Sequence, residues 1–137
     1  MPKEMKVFIG AGVGDNGKVL FGDTPELKRL AKIFVQRGYT VGCLKELGFA
    51  VRNEQPEKFI IVGGKAEVCM PQLIYFTLQV APETEVEIDT RCIRTGKEGK
   101  YPKNNRQVRA VRLNELTQAL EKLSPGSSKN RRLKIIP

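Results

Sequence analysis

The sequence predicts one α+β domain, with a mostly antiparallel or mixed β-sheet covered on one side by two amphipathic helices. Three observations lead there. The stretch Lys58–Ile93 holds three apolar runs, broken by Gly63-Gly64, Pro71 and Pro82. Two segments, 24–37 and 114–123, repeat apolar residues at helical spacing. Clusters of turn-forming residues separate the runs at short intervals. A three-layer, doubly wound α/β arrangement is the alternative, and it follows if Pro71–Val80 is helical rather than extended.

In chain order, Lys6–Val13 (KVFIGAGV) and Lys18–Phe21 (KVLF) read as strands joined through GDNG, a run of turn formers. A helix over 24–37 follows. Asp23 or Thr24 caps it, Pro25 suits its first position, and Leu27, Leu30, Ala31, Phe34 and Val35 form its apolar stripe. Gly38 ends it. Tyr39–Val41 begins another strand, Cys43–Leu47 is a helical turn closed by Gly48, and Phe49–Val51 is extended. Gly63-Gly64 predicts a hairpin turn between FIIV and KAEVCM, because a tight primed turn needs positive φ. Gln72–Val80 is rich in β-branched and aromatic residues and reads as a strand. Thr84–Ile93 alternates, with Val86, Ile88 and Cys92 on one side and Glu85, Glu87, Asp89 and Arg91 on the other. Arg106–Leu113 reads as the returning strand, which gives a hairpin over 84–112 with a long basic tip. Asn114–Leu123 is the second helix, with Leu113, Leu116, Leu120 and Leu123 on one face. Residues 1–123 form the domain, and 124–137 form a basic flexible tail.

Composition narrows the class. No apolar run approaches the roughly 20 residues that a spanning helix needs. The opening MPKEMKVFIG lacks the apolar region and cleavage site of a secretory leader. Cys43, Cys69 and Cys92 are odd in number and lie in apolar settings, as reduced thiols of a cytoplasmic protein do. With no histidine and no CxxC spacing, neither a metal site nor a cofactor is expected.

Charge is more informative. The net charge is +9, and it is uneven: residues 1–90 hold 11 Lys/Arg and 12 Asp/Glu, whereas 91–137 hold 13 and 3. The whole basic excess sits in the last third, which points to a polyanionic partner, nucleic acid before a membrane surface. The leading expectation is therefore non-catalytic binding of nucleic acid. Arg91, Arg94, Lys97, Lys100, Lys103, Arg106, Arg109 and Arg112 would track phosphates along the hairpin, and Tyr101 would stack on an unpaired base. Lys129, Arg131, Arg132 and Lys134 of the tail would add contacts. The competing account is neutralisation, with Glu83, Glu85, Glu87 and Asp89 pairing across the hairpin with Arg106, Arg109 and Arg112.

Two further candidates carry an enzymatic alternative. Gly12, Gly14 and Gly17 satisfy GxGxxG, and Gly12–Lys18 satisfies GxxxxGK, patterns that cradle phosphate at a helix N-terminus. KVLFGDTP follows instead of a helix, and Val19 replaces the Ser/Thr that would hold magnesium, so a glycine hairpin is the simpler account. The other candidate is Cys69. FIIVGGKAEVCM resembles the nucleophile segment of isochorismatase-like cysteine hydrolases, with Gly63, Glu67 and Cys69 at matching positions, and that likeness implies a thiol nucleophile. It covers these twelve residues. Gly10 stands where the family has Asp, and Pro71 stands where it continues a helix. A third alternative is a protein–protein or inhibitor module docking through a sheet edge or the tail.

Overall fold

A computed structural model describes residues 3–9, 11–13, 19–21, 25–95 and 104–137. In chain order the elements are β1 (Glu4–Ile9), β2 (Ala11–Val13), β3 (Val19–Phe21), α1 (Pro25–Gln36), β4 (Thr40–Gly42) and α2 (Leu44–Glu54). They continue with β5 (Lys58–Val62), α3 (Cys69–Val80), β6 (Glu85–Asp89), α4 (Asn105–Leu123) and β7 (Leu133–Ile136). Five strands form one sheet in the order β4-β1-β5-β6-β7, and every pairing in it is parallel. Strands β2 and β3 form a separate antiparallel hairpin. The architecture is α/β, which corrects the expected antiparallel or mixed sheet and fits the three-layer alternative.

The correction turns on residues 71–80. Pro71 lies in the first turn of α3, where its missing N–H breaks no intrahelical bond. Met70, Leu73, Ile74 and Thr77 are buried at helical spacing, and the Thr77 hydroxyl donates back to the Leu73 carbonyl at 2.7 Å. Packing between α2 and α4 overrides the β preference of these side chains. With α3 helical, Gly63-Gly64 is a strand-to-helix turn, not a hairpin, and β5 and β6 must run parallel.

Helix α4 supplies the second correction. The Asn104 side chain caps it by accepting the Gln107 N–H at 2.8 Å, and the helix absorbs Arg106–Leu113. The hairpin over 84–112 therefore does not form, and with it goes the ladder that would set Glu83, Glu85 and Glu87 opposite the arginines. Helix α2 runs unbroken through Gly48 and Phe49–Val51. The expected flexible tail is instead a 3-10 turn, Ser127–Lys129, followed by β7 on the sheet edge. Among the described residues, no helix is long and apolar enough to cross a membrane.

Strand alternation sorts the core into two faces. Val7 and Ile9, Phe59 and Ile61, Val86 and Ile88, and Leu133 face α2, α3 and α4, where Leu47, Val51, Leu73, Ile74, Leu116 and Leu120 close the main core. Phe8 and Val62 face α1, which contributes Ala31 and the half-buried Phe34. Leu30 and Val35, expected in the buried stripe, are 47% and 52% exposed. Beyond α1, the same face of β6 and β7 carries Glu85, Glu87 and Lys134, with Lys58 on Glu87 at 3.2 Å.

Gly63 sets the contact between β1 and β5. Its φ is +83°, and a Cβ there would lie 2.7 Å from the Phe8 ring. Gly126 has a similar φ of +87° with nothing within 4 Å. Gly126→Ala is expected to cost only the left-handed backbone term, about 1 kcal/mol. Gly63→Ala adds overpacking against a buried ring and should cost about 2–4 kcal/mol. Urea unfolding of the two variants checks the difference, and equal losses would mean that Phe8 yields freely.

Candidate functional site

In a parallel sheet all strands end on one side, and ligands of α/β proteins sit in the crevice outside those ends. Here that side gathers the β5–α3 loop, the segment after β6 and the start of α4. Strand β6 ends at Asp89, and a 3-10 turn, Thr90–Cys92, follows at once. The Asp89 carboxylate caps this turn by accepting the Arg91 N–H at 2.9 Å. It also receives the Arg91 guanidinium in a forked pair, with Nε at 3.1 Å from both oxygens and Nη2 2.6 Å from Oδ2. The guanidinium holds the Asp89 carboxyl below the usual carboxylate range, and Asp89 in turn raises Arg91.

Helix α4 closes the other wall. Arg112 Nη1 donates to the Thr90 carbonyl at 2.8 Å and to the Arg91 carbonyl at 3.3 Å, tying the helix to the turn. Arg109 Nε lies 3.4 Å from the Asn105 carbonyl. Between turn and helix is a groove of about 420 Å³ lined by Arg91, Asn105, Val108, Arg109 and Arg112. The first turn of α4 holds no acidic residue, and Arg106 stands exposed beside Arg109. The unsatisfied N–H groups of this 19-residue helix add partial positive charge at the same end. Three guanidinium groups thus line this space, one of them, Arg91, forked onto Asp89. Such an arrangement can hold an oxyanion by charge and by directional N–H donors. Thr90 is fully buried, and its hydroxyl has no partner among the described residues.

The other predicted residues disperse. Arg94 turns inward: its Nε donates to the Gly63 carbonyl at 3.1 Å, and its backbone bonds to Gly64 and Ala66 extend the β5–β6 pairing. Arg132 caps α3 from the opposite edge, donating to the carbonyls of Leu78 at 2.6 Å, Ala81 at 2.6 Å and Thr84 at 2.9 Å. Lys129 and Arg131 are exposed at that amino-terminal edge, and Lys134 lies exposed on β7. Among the described residues, hairpin and tail cations therefore do not form one surface. Lys97, Lys100, Tyr101 and Lys103 lie outside the described residues.

The two enzymatic candidates differ in how much of each is described. Gly12 pairs with Leu20 in the β2–β3 hairpin, and strand β3, not a helix, begins at Val19. Gly14, Gly17 and Lys18 lie outside the described residues. Cys69 opens α3 and packs against the main core, with no polar partner for its thiol among the described residues. Glu67, the acidic residue of the local resemblance, accepts the Thr95 hydroxyl instead. Among the described residues, no group of three His, Cys, Asp or Glu is placed to hold a metal ion.

Sequence reasoning found the arginines of the groove but put them on a strand, and it missed Asn105 and Val108. The available signal was Asn104 as a cap before arginines at 106, 109 and 112, a spacing that keeps them on adjoining turns of a helix. Comparison with protein-family models, with curated proteins and with solved structures returns no match.

Asp89 binds its proton less readily in the fold than in the unfolded chain. Its pairing thus adds stability above about pH 4 and loses it as pH falls through the depressed folded value. Arg91→Gln should be less stable than wild type near neutral pH, with the gap closing as pH falls from about 4 through the depressed folded value. Thermal unfolding across that range checks it, and a gap independent of pH would remove Asp89 from the account.

Proposed function

We propose that this protein binds nucleic acid without catalysis, through the groove between the post-β6 turn and the first turns of α4. The observation that supports the reading is the convergence of Arg91, Arg109 and Arg112, with Arg106 beside them, at the amino end of a long helix. A phosphodiester carries one delocalised negative charge and two free oxygens, which suits guanidinium forks and helix N–H groups together. Arg91 and Arg112 hold the walls in place, and Arg106 and Arg109 are the groups freer to meet a phosphate. Contact of this kind neutralises backbone and reads little sequence, so affinity should follow salt more strongly than base identity.

The excess of +10 in residues 91–137 over the near-neutral remainder gives a long-range attraction for such a ligand. Only part of that excess borders the groove, since Arg94 and Arg132 are engaged within the fold.

Replacing Arg106 and Arg109 together by Gln should weaken binding of a fluorescein-labelled single-stranded RNA by about tenfold at moderate salt. The slope of log affinity against log salt should fall by about 1.4, two contacts at about 0.7 each. Lys129→Gln with Arg131→Gln, at the far edge, should change neither. Anisotropy titrations at several salt concentrations decide it, and an unaltered slope in the first variant would move the contact elsewhere.

A further inference from the structure

The outer side of the helical layer presents a second surface unrelated to the arginine groove. It begins with an anomaly in α2. Gly48 sits in the middle of that helix, where glycine costs about 1 kcal/mol relative to alanine. Gly48 is buried, and a Cβ on it would lie 3.2 Å from the Phe76 ring of α3. The bare backbone lets that ring approach α2 closely. The result is an open groove of about 550 Å³ between α2 and α3, closed at one end by Leu123 of α4.

Its floor is apolar and wet. Phe49, Phe76 and Leu123 are 49%, 36% and 46% exposed, a concentration of large apolar surface that marks interaction sites. Among the described residues, the charged ones lining the groove are Lys45 and Arg52. They lie on the same side of α2, seven residues and so about 10.5 Å apart along its axis. Both are exposed, and neither makes an ion pair among the described residues. Helix α3 contributes no charged residue at all.

We infer that this groove binds an amphipathic helix of a partner protein, whose apolar stripe covers Phe49, Phe76 and Leu123 and whose carboxylates, about two turns apart, meet Lys45 and Arg52. The charge pattern selects that occupant. A second copy is disfavoured: α1, with exposed Leu30, Ile33 and Val35, is bordered by Arg29, Lys32 and Arg37, and the groove face itself carries Lys45 and Arg52, so either way cations would face cations. A single alkyl chain would stay open to water along the groove, whereas a helix brings its own polar side.

Two fluorescein-labelled amphipathic helices of about 18 residues serve as probes, identical in their leucine stripe and differing in Glu or Lys at two flanking positions seven apart. The Glu helix should bind wild type at least about tenfold more tightly than the Lys helix. The exposed pair Lys45→Glu with Arg52→Glu should reverse that preference, and Phe49→Ser should weaken the Glu helix by about tenfold. Arg106→Gln with Arg109→Gln should leave the Glu helix bound as before, which separates this groove from general attraction to a basic protein. The inference is overturned if the charge reversal leaves the preference unchanged, or if the arginine variant abolishes binding. It also fails if neither helix binds by about 1 mM, or if Phe49→Ser only removes self-association measured by sedimentation.

Discussion

The Phe8 ring lying over Gly63 is the contact on which the layered fold depends. Strands β1 and β5 are neighbours at the centre of the sheet, and the chain's connections leave them in opposite directions. Helix α1 returns over one face and α3 over the other, so both layers are anchored at this junction. Phe8 is 1% exposed, and its ring stands 5.4 Å from Phe34, which in turn meets Tyr39 edge-on at 4.9 Å. Among the described residues, those rings and the buried Ala31 attach α1 to the sheet. No side chain on residue 63 would leave room for Phe8, and the positive φ there turns the chain from β5 toward α3. One glycine thus serves the turn and the packing of the opposite layer at once.

The basic third of the chain is best understood by what each guanidinium touches. Arg132 satisfies carbonyls at the end of α3, where the last C=O groups of a helix have no intrahelical partner. Arg94 fastens the segment after β6 to the loop after β5, and Arg112 fastens α4 to the 3-10 turn. Hydrogen bonds from charged donors to buried or half-buried carbonyls are among the stronger polar contacts, of order 1.5–3 kcal/mol each. A large net charge therefore overstates the cationic surface. The charges that remain for a ligand are those the fold has not turned inward.

Much of the local structure was legible, and the topology was not. Pro25 and Gly38 bounded α1, and the alternation of Glu85–Asp89 gave the correct faces of β6. That same alternation misled. Strands of a parallel sheet usually read as unbroken apolar runs because helices cover both sides. Here α1 covers only the β1 and β4 side, so β6 and β7 show charged residues to water and look antiparallel. In α3, Ile74, Tyr75, Phe76 and Thr77 favour a strand locally, but a helix between α2 and α4 buries Leu73, Ile74 and Thr77 completely. In α4, RQVRAVRL reads as a returning strand from its apolar and arginine content, and its buried anchors, Leu116 and Leu120, come later. The groove arginines were visible by type and invisible by placement, because a strand was assigned where their spacing of three fits a helix.

Helix α4 links the two surfaces. Its first turns border the arginine groove, its middle is held in the core by Leu116 and Leu120, and its last residue, Leu123, walls the apolar groove. Arg109 and Leu123 are fourteen positions apart, so a rigid helix separates the two sites by about 21 Å. A nucleic acid at one end and an acidic helix at the other would repel, but the Debye length at physiological salt is about 8 Å. Over more than two such lengths the repulsion is largely screened. The two sites are thus spaced to be filled independently, and at low salt, where screening reaches further, each occupant would begin to oppose the other.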